Sequence, residues 1–221
     1  MPNNKVYDII INLLIGTKNQ NTLTDSACLD DVAMLNGCSY LLNQTIRQYR
    51  IPQNHYFVSE KALALWKKIR TDSIFNYTYR DRIIKNTDDV VTIEKYRGGE
   101  KNPYMSTNIY RGNAFTYNDV FTDEHIVTVS NIIKELQSLP TYDYFSVKRI
   151  LDKIYICKML KEEDRIIENK RNRSTDYREV IAEDYYNAGI KLVGFDLAAT
   201  LQDLVHKAEE ELLRLEKTHN I

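Results

Sequence analysis

Glycine and proline, the residues that most often end helices and strands, are scarce in this chain: 7 of its 221 residues are Gly and 4 are Pro. All-β sandwiches need turn signals at short, regular intervals, and glycine-rich phosphate loops need several glycines close together. The scarcity argues against both. A chain of this length buries a sizeable core as one large domain or two small ones, and we expect a mixed α+β protein.

Composition excludes several broad classes of protein. A hydrophobic content of 43% excludes a disordered chain. The longest apolar run, Ile9–Ile15, is interrupted by Asn12 and is far shorter than the roughly 18 residues of a membrane span. The sequence also gives no sign of a secretory signal. We therefore expect a cytoplasmic protein without a membrane partner.

The cysteines Cys28, Cys38 and Cys157 are odd in number and form no C-x-x-C pair. This pattern supports neither a disulfide framework nor a zinc ribbon. Reduced thiols are the simplest interpretation, and they agree with a cytoplasmic location.

The charges are balanced, with 30 Lys and Arg against 31 Asp and Glu. Nucleic-acid-binding proteins often carry an excess of basic residues, so a function of that kind would depend on local patches. Basic residues lead at 67–101 and 170–173, whereas acidic residues concentrate at 119–124 and 162–168.

Hydrophobic spacing divides the chain into three regions: a helix-rich part at 1–100, a central core at 101–195 and an amphipathic C-terminal helix at 196–221. The first boundary is placed at the turn-rich stretch 97–104. Helices are predicted near 5–16 (with a buried strand as the alternative), 27–49, 60–69, 130–140, 146–151, 161–173, 179–189 and 196–217. Strands are predicted at 83–96, 114–129 and 154–160. Ser59 is the expected N-cap of one helix and Gly189 the expected end of another.

His125 has the most reactive surroundings of the four histidines, because it follows Asp123 and Glu124 at the end of a predicted strand. His55, His206 and His219 are expected to be structural or exposed. A histidine beside carboxylates binds a divalent metal with them or acts as a general base next to a metal-bound water.

A second acidic cluster opens the helix that follows the strand at 154–160. Asp164 and Glu168 are four residues apart and share a helix face. Together with Glu124 and His125 they predict an oxygen-rich site for Mg²⁺ or Mn²⁺. The alternative is structural, since acids in a first turn favour the helix dipole.

The stretches VFTDEHIVTVSNIIKEL (120–136), IYICKMLKEEDRII (154–167) and YYNAGIKL (185–192) resemble divergent HNH-type (His-Me finger) endonucleases. The resemblance implies a small ββα-metal core that cuts DNA with one divalent ion. It implies His125 as the general base and Asn131 as the side chain that orients it. It also implies metal ligands at Glu124, Asp164 and Glu168.

The chain departs from that family at His125-Ile126-Val127-Thr128, where a proline is replaced, and it lacks the helix histidine. The connection between the two predicted strands is also long for a simple hairpin. A degenerate site that binds DNA without cutting it is therefore kept as an interpretation.

Contacts with DNA phosphates would come from local basic residues, which position a protein without reading sequence. The candidates are Arg80, Arg82, Lys95, Arg97, Lys170, Arg171 and Arg173. A solvated surface of mixed charge is the alternative interpretation of the same residues.

The sequence thus predicts a metal-dependent DNA endonuclease, as in restriction or phage defence, with a homodimer formed through the C-terminal helix. Two alternatives stay open. One is a non-catalytic interaction module, such as a phage inhibitor or a defence-complex subunit, with tyrosines at its interface. The other is a metal-free RNase toxin that uses His125.

Overall fold

The computed structural model describes residues 5–20, 29–97, 104–167 and 173–195. The α-helices in these ranges are α1 (Lys5–Gln20), α2 (Leu29–Arg47), α3 (Glu60–Ile69), α4 (Tyr117–Val120), α5 (Val129–Gln137), α6 (Tyr144–Leu151), α7 (Lys161–Ile166) and α8 (Tyr177–Val180). The strands are β1 (Tyr56–Ser59), β2 (Arg82–Ile84), β3 (Val91–Arg97), β4 (Tyr104–Tyr110), β5 (Ala114–Thr116), β6 (Phe121–His125), β7 (Ile156–Leu160) and β8 (Leu192–Gly194). A π-helical turn, Ile181–Tyr185, follows α8. The mixture confirms the α+β prediction.

The described residues form two compact units that share the chain discontinuously. The first contains 5–20, 29–51, 125–155 and 173–180, and the second contains 52–97, 104–124, 156–167 and 181–195. This division differs from the predicted regions, because the expected boundary at 97–104 lies between two paired strands. β3 and β4 are antiparallel neighbours from Val91↔Tyr110 to Arg97↔Tyr104.

The first unit is helical and is built on the pairing of α1 with α2. Ile10 and Leu14 of α1 are fully buried, as are Leu42 and Ile46 of α2. Each pair is four residues apart, which places both members on one face of a helix. Residues 5–16, which were predicted as a helix or a buried strand, therefore form a helix.

The second unit contains a four-stranded sheet in the order β6-β7-β1-β8. β1 is parallel to β7, with Phe57 opposite Cys157, and antiparallel to β8, with Val58 opposite Val193. One buried face of α3 contributes Ala62, Leu63, Trp66 and Ile69 to the core of this unit.

Local capping signals correctly located two helix ends. Ser59 accepts a hydrogen bond from the backbone N–H of Ala62 at 3.1 Å and begins α3. Gly189 has φ 69°, the left-handed conformation that glycine adopts without strain. The predicted C-terminal helix at 196–217 lies outside the described residues.

The run 114–129, predicted as one strand, is divided by the helical turn α4. The backbone N–H of Thr116 donates to Asp119 Oδ2 at 2.9 Å, and Asp119 lies in the first turn of α4. A carboxylate at this position satisfies an N–H that the short helix cannot. The hydrogen bond that caps α4 therefore outweighs the strand preference of the β-branched residues in this run.

In the predicted strand–strand–helix core, β6 and β7 are sheet neighbours and α7 follows β7 directly. The connection between the strands folds into α5 and α6. Within the described residues, no helix is both long and apolar enough to cross a membrane.

Candidate functional site

The residues of the predicted site lie at the end of β6 and at the beginning of α7, which are at opposite ends of β7. Glu124 and His125 are the last residues of β6, and Asp164 lies in the first turn of α7. All three side chains are half-buried. The backbone N–H of Ile126 donates to the Tyr155 carbonyl at 3.0 Å, which places the end of β6 beside the start of β7.

The Cys157 thiol is buried in the second unit and has a raised pKa. Burial is the largest cause of the raised pKa of this thiol, and the negative charges of Glu163, Glu124, Asp123 and Asp164 raise it further. Glu124 and Asp164 are 40 positions apart in the sequence, yet both act on one sulfur atom.

His125 is assigned to the first unit and Glu124 to the second. Glu168, the fourth predicted ligand, lies outside the described residues. Among the residues that the structure describes, no group of three or more His, Cys, Asp or Glu side chains is arranged to hold a metal ion. The predicted four-residue metal set stays a prediction.

Asn131 and Arg173 support the main chain at the end of β6. Asn131 Nδ2 donates to the Arg173 carbonyl at 2.6 Å. The Arg173 guanidinium donates through NH1 to the carbonyls of His125 and Ile126, at 3.3 Å each. Asn131 therefore binds the main chain of Arg173, whose guanidinium binds the His125 carbonyl. Its predicted role in orienting the imidazole stays a prediction.

Arg173 is 5% exposed, although it was expected on a surface that contacts phosphates. Its guanidinium lies inside the first unit because two carbonyls that end β6 need donors there. A buried arginine hydrogen-bonded to main-chain carbonyls is a structural element, so Arg173 is removed from the predicted nucleic-acid surface.

The other predicted basic contacts differ in what the structure shows. Arg80 and Arg82 are exposed, and the Arg80 guanidinium lies 5.4 Å from the centre of the Tyr79 ring. Lys95 and Arg97 lie on β3, at register positions opposite Ser106 and Tyr104. Lys170 and Arg171 lie outside the described residues.

Lys158 is a buried lysine that sequence reasoning missed. It is 1% exposed, and its ammonium donates to Asp123 Oδ1 at 3.0 Å and to the Tyr77 carbonyl at 2.7 Å. Asp123 Oδ1 also accepts from the Tyr117 hydroxyl at 2.8 Å. The sequence signal was a single lysine within an otherwise apolar strand. This ion pair therefore engages Asp123.

Glu163 joins the carboxyl ends of the two parallel strands, and its role was also missed. It is 1% exposed, and its Oε2 accepts from Ser59 Oγ at 2.5 Å and from the Leu160 backbone N–H at 3.0 Å. Ser59 ends β1 and Leu160 ends β7. The available signal was an acid three positions after a helix N-cap, a spacing typical of a capping box.

Comparison of the chain with protein-family models, curated protein sequences and solved structures gives no match. Relatives therefore contribute nothing to the choice of function. The function is therefore inferred from Glu124, Asp164 and His125 and from the exposed basic side chains.

Proposed function

We propose that the chain is a metal-dependent phosphodiester hydrolase acting on DNA, with Glu124 and Asp164 as metal ligands and His125 as general base. What supports the proposal is that Glu124, from β6, and Asp164, from α7, are both half-buried and that the negative charges of both raise the pKa of the buried Cys157 thiol. The sequence resemblance implies that these two acids bind the metal.

The donor chemistry of these residues fits the proposed ion. Carboxylate oxygens are the ligands that Mg²⁺ and Mn²⁺ prefer. Both side chains are half-buried, so they keep access to solvent while part of their surroundings excludes water. Asp123, the neighbouring acid on β6, is paired with Lys158.

The chain's own residues would then divide the reaction as follows. His125 accepts a proton from the attacking water, a task suited to an imidazole within hydrogen-bond reach. Exposed Arg80 and Arg82 hold the DNA by its phosphates. A divalent ion on Glu124 and Asp164 supplies charge stabilisation for the phosphate and the leaving oxygen.

The test is cleavage of plasmid DNA and of RNA by the purified protein with Mg²⁺, Mn²⁺ or EDTA. The wild type is expected to cut DNA only with a metal. His125→Ala is expected to lose at least about 100-fold in rate, the usual contribution of a general base. Glu124→Gln and Asp164→Asn are each expected to require more metal for the same rate.

Glu162→Gln is the matched control, because Glu162 lies in the same first turn of α7 and has no assigned role. It is expected to cut DNA like the wild type. Equal cutting by His125→Ala would refute the assigned base, and RNA cleavage that resists EDTA would favour the toxin alternative. Failure to cut either substrate under all conditions would refute the hydrolase.

A non-catalytic interaction module is the second candidate, and exposed aromatic side chains favour it. Phe145 is 79% exposed in the first unit and Tyr186 is 78% exposed in the second. Aromatic residues are enriched in protein interfaces. If no cleavage is found, loss of a protein partner upon Phe145→Ser or Tyr186→Ser would support this alternative.

A further inference from the structure

A cavity of about 420 Å³ lies in the first unit, between the end of α6 and the segment that begins α8. Its volume is within the range of small-molecule sites. Its walls combine aromatic, basic and acidic side chains: Asp152, Lys153, Tyr155, Asp176, Tyr177 and Arg178. Neither the nuclease resemblance nor the proposed reaction uses these residues.

A stacked pair of tyrosines lines the cavity and forms what we call its tyrosine wall. The rings of Tyr155 and Tyr177 are stacked, with centroids 3.8 Å apart and planes inclined by 22°. Burial and a hydrogen bond with Tyr177 raise the pKa of Tyr155 to about 12. Hydrogen bonds from Arg178 and Tyr155 lower the pKa of Tyr177. The pair is held by ring stacking and by its hydroxyls, so the wall is already formed before a ligand arrives.

Arg178 supplies a cation at the rim of the cavity. Its side chain is exposed, and its Nε donates to the Tyr177 hydroxyl at 3.4 Å. That bond is the one found for this guanidinium among the described residues, and a guanidinium has five N–H donors. The remaining donors suit a phosphate or carboxylate oxygen. Lys153 adds a second cation, an ammonium that is paired with Glu135.

Two carboxylates in the same cavity disfavour a bare anion as its ligand. Asp152 pairs with Lys148, and Asp176 Oδ1 accepts from the Arg178 backbone N–H at 2.9 Å. A carboxylate accepts further hydrogen bonds from hydroxyl and amino groups. The ligand that matches this lining therefore has a planar ring, hydrogen-bond donors and an anionic group.

We propose that this cavity binds a nucleotide, with the base against the tyrosine wall, the sugar hydroxyls or base amino groups at Asp152 and Asp176, and the phosphate at Arg178. Stacking on aromatic side chains is the usual way in which proteins hold unpaired bases. A free nucleotide and an unpaired nucleotide within a strand present this same chemistry. The inference is independent of the nuclease proposal, because binding is measured without cleavage.

The test is titration calorimetry of the full chain in EDTA with AMP, GMP, CMP and UMP, with adenosine, with inorganic phosphate and with an eight-residue deoxyadenosine oligomer. At least one mononucleotide is expected to bind saturably, and more tightly than phosphate alone. A tighter oligomer identifies the strand as the source of the nucleotide, and a weaker oligomer identifies the free nucleotide. Both results support the site.

Arg178→Gln separates this site from general attraction between charges. It is expected to weaken the binding of the mononucleotides about tenfold, the value of one hydrogen bond to a charged group, while adenosine binds as before. Arg149→Gln is the matched control, since Arg149 is exposed in the same unit outside the cavity.

Three results would overturn the inference. The first is the absence of saturable binding by all four mononucleotides and by the oligomer. The second is equal binding of inorganic phosphate and AMP, which would remove the role of the tyrosine wall. The third is an equal loss of affinity in Arg178→Gln and Arg149→Gln.

Discussion

Removal of the Glu163 carboxylate is expected to destabilise the second unit substantially. Oε2 of this buried side chain accepts two hydrogen bonds, from Ser59 Oγ and the Leu160 backbone N–H. Hydrogen bonds to a charged group contribute about 1.5–3 kcal/mol each, and loss of the acceptor leaves both donors unsatisfied. Removing a buried charge offsets part of this cost. We expect Glu163→Ala to lower the free energy of unfolding by about 2–4 kcal/mol.

Urea denaturation followed by tryptophan fluorescence measures this loss directly. Trp66, the single tryptophan of the chain, is fully buried in the second unit, the same unit as Glu163. With a urea slope of about 2 kcal/mol/M, the midpoint is expected to fall by about 1–2 M. Glu163→Gln keeps one acceptor oxygen and is expected to lose less.

Glu162→Ala is the control, because Glu162 lies beside Glu163 in the same turn but is only half-buried. Substitutions of this kind change stability by about 0.5 kcal/mol or less. A double-mutant cycle with Ser59→Ala isolates the energy of the Ser59–Glu163 contact. Equal midpoints for Glu163→Ala and Glu162→Ala would refute the role of Glu163 in joining β1 to β7.

Three further predictions concern stability and use the same fluorescence assay. Hydrogen bonds from Arg70 lower the pKa of Asp72, so the stability from this pair is complete above the usual carboxyl range and is lost as the pH falls through the lowered pKa. Asp72→Asn should be less stable than the wild type at pH 7. A difference in stability between the two proteins that stays constant down to about pH 2 would contradict the assignment. Lys158→Met should lower the free energy of unfolding by about 3 kcal/mol, because it removes the buried ammonium that donates to Asp123 and to a main-chain carbonyl. An unchanged midpoint would refute the role of this ammonium. Gly189→Ala should cost about 1 kcal/mol, because φ is 69° there, and an unchanged midpoint would show that the chain relaxes to a negative φ.

Features that depend on neighbouring residues were predictable from the sequence. The Ser59 cap and the Gly189 stop were located correctly, because a capping hydroxyl and a left-handed glycine act within one helical turn. The strand β7 was expected within two residues of its observed bounds, and α7 begins at Lys161 as predicted, although it ends at Ile166 and not near 173. The short strand β8 was missed, because its three residues depend on pairing with β1.

The candidate site was predictable only in part, because its contacts join distant segments. The hydrogen bond between Ser59 and Glu163 spans 104 positions, and the ion pair between Asp123 and Lys158 spans 35. Patterns within a short stretch of sequence do not predict contacts between residues so far apart. The burial of Arg173 was unpredictable for the same reason, since its guanidinium donates to the carbonyls of His125 and Ile126, which are far away in the sequence.

The proposed metal site is tested most directly by iron-dependent cleavage of the protein's own backbone. Fe²⁺ that replaces the divalent ion generates hydroxyl radicals with ascorbate and peroxide, and these cut the nearest peptide bonds. Cuts are expected near Glu124 and Asp164. Excess Mg²⁺ should suppress these cuts, Glu162→Gln should retain them, and the double variant Glu124→Gln with Asp164→Asn should lose them. Cuts elsewhere, or equal cutting in the double variant, would contradict the site.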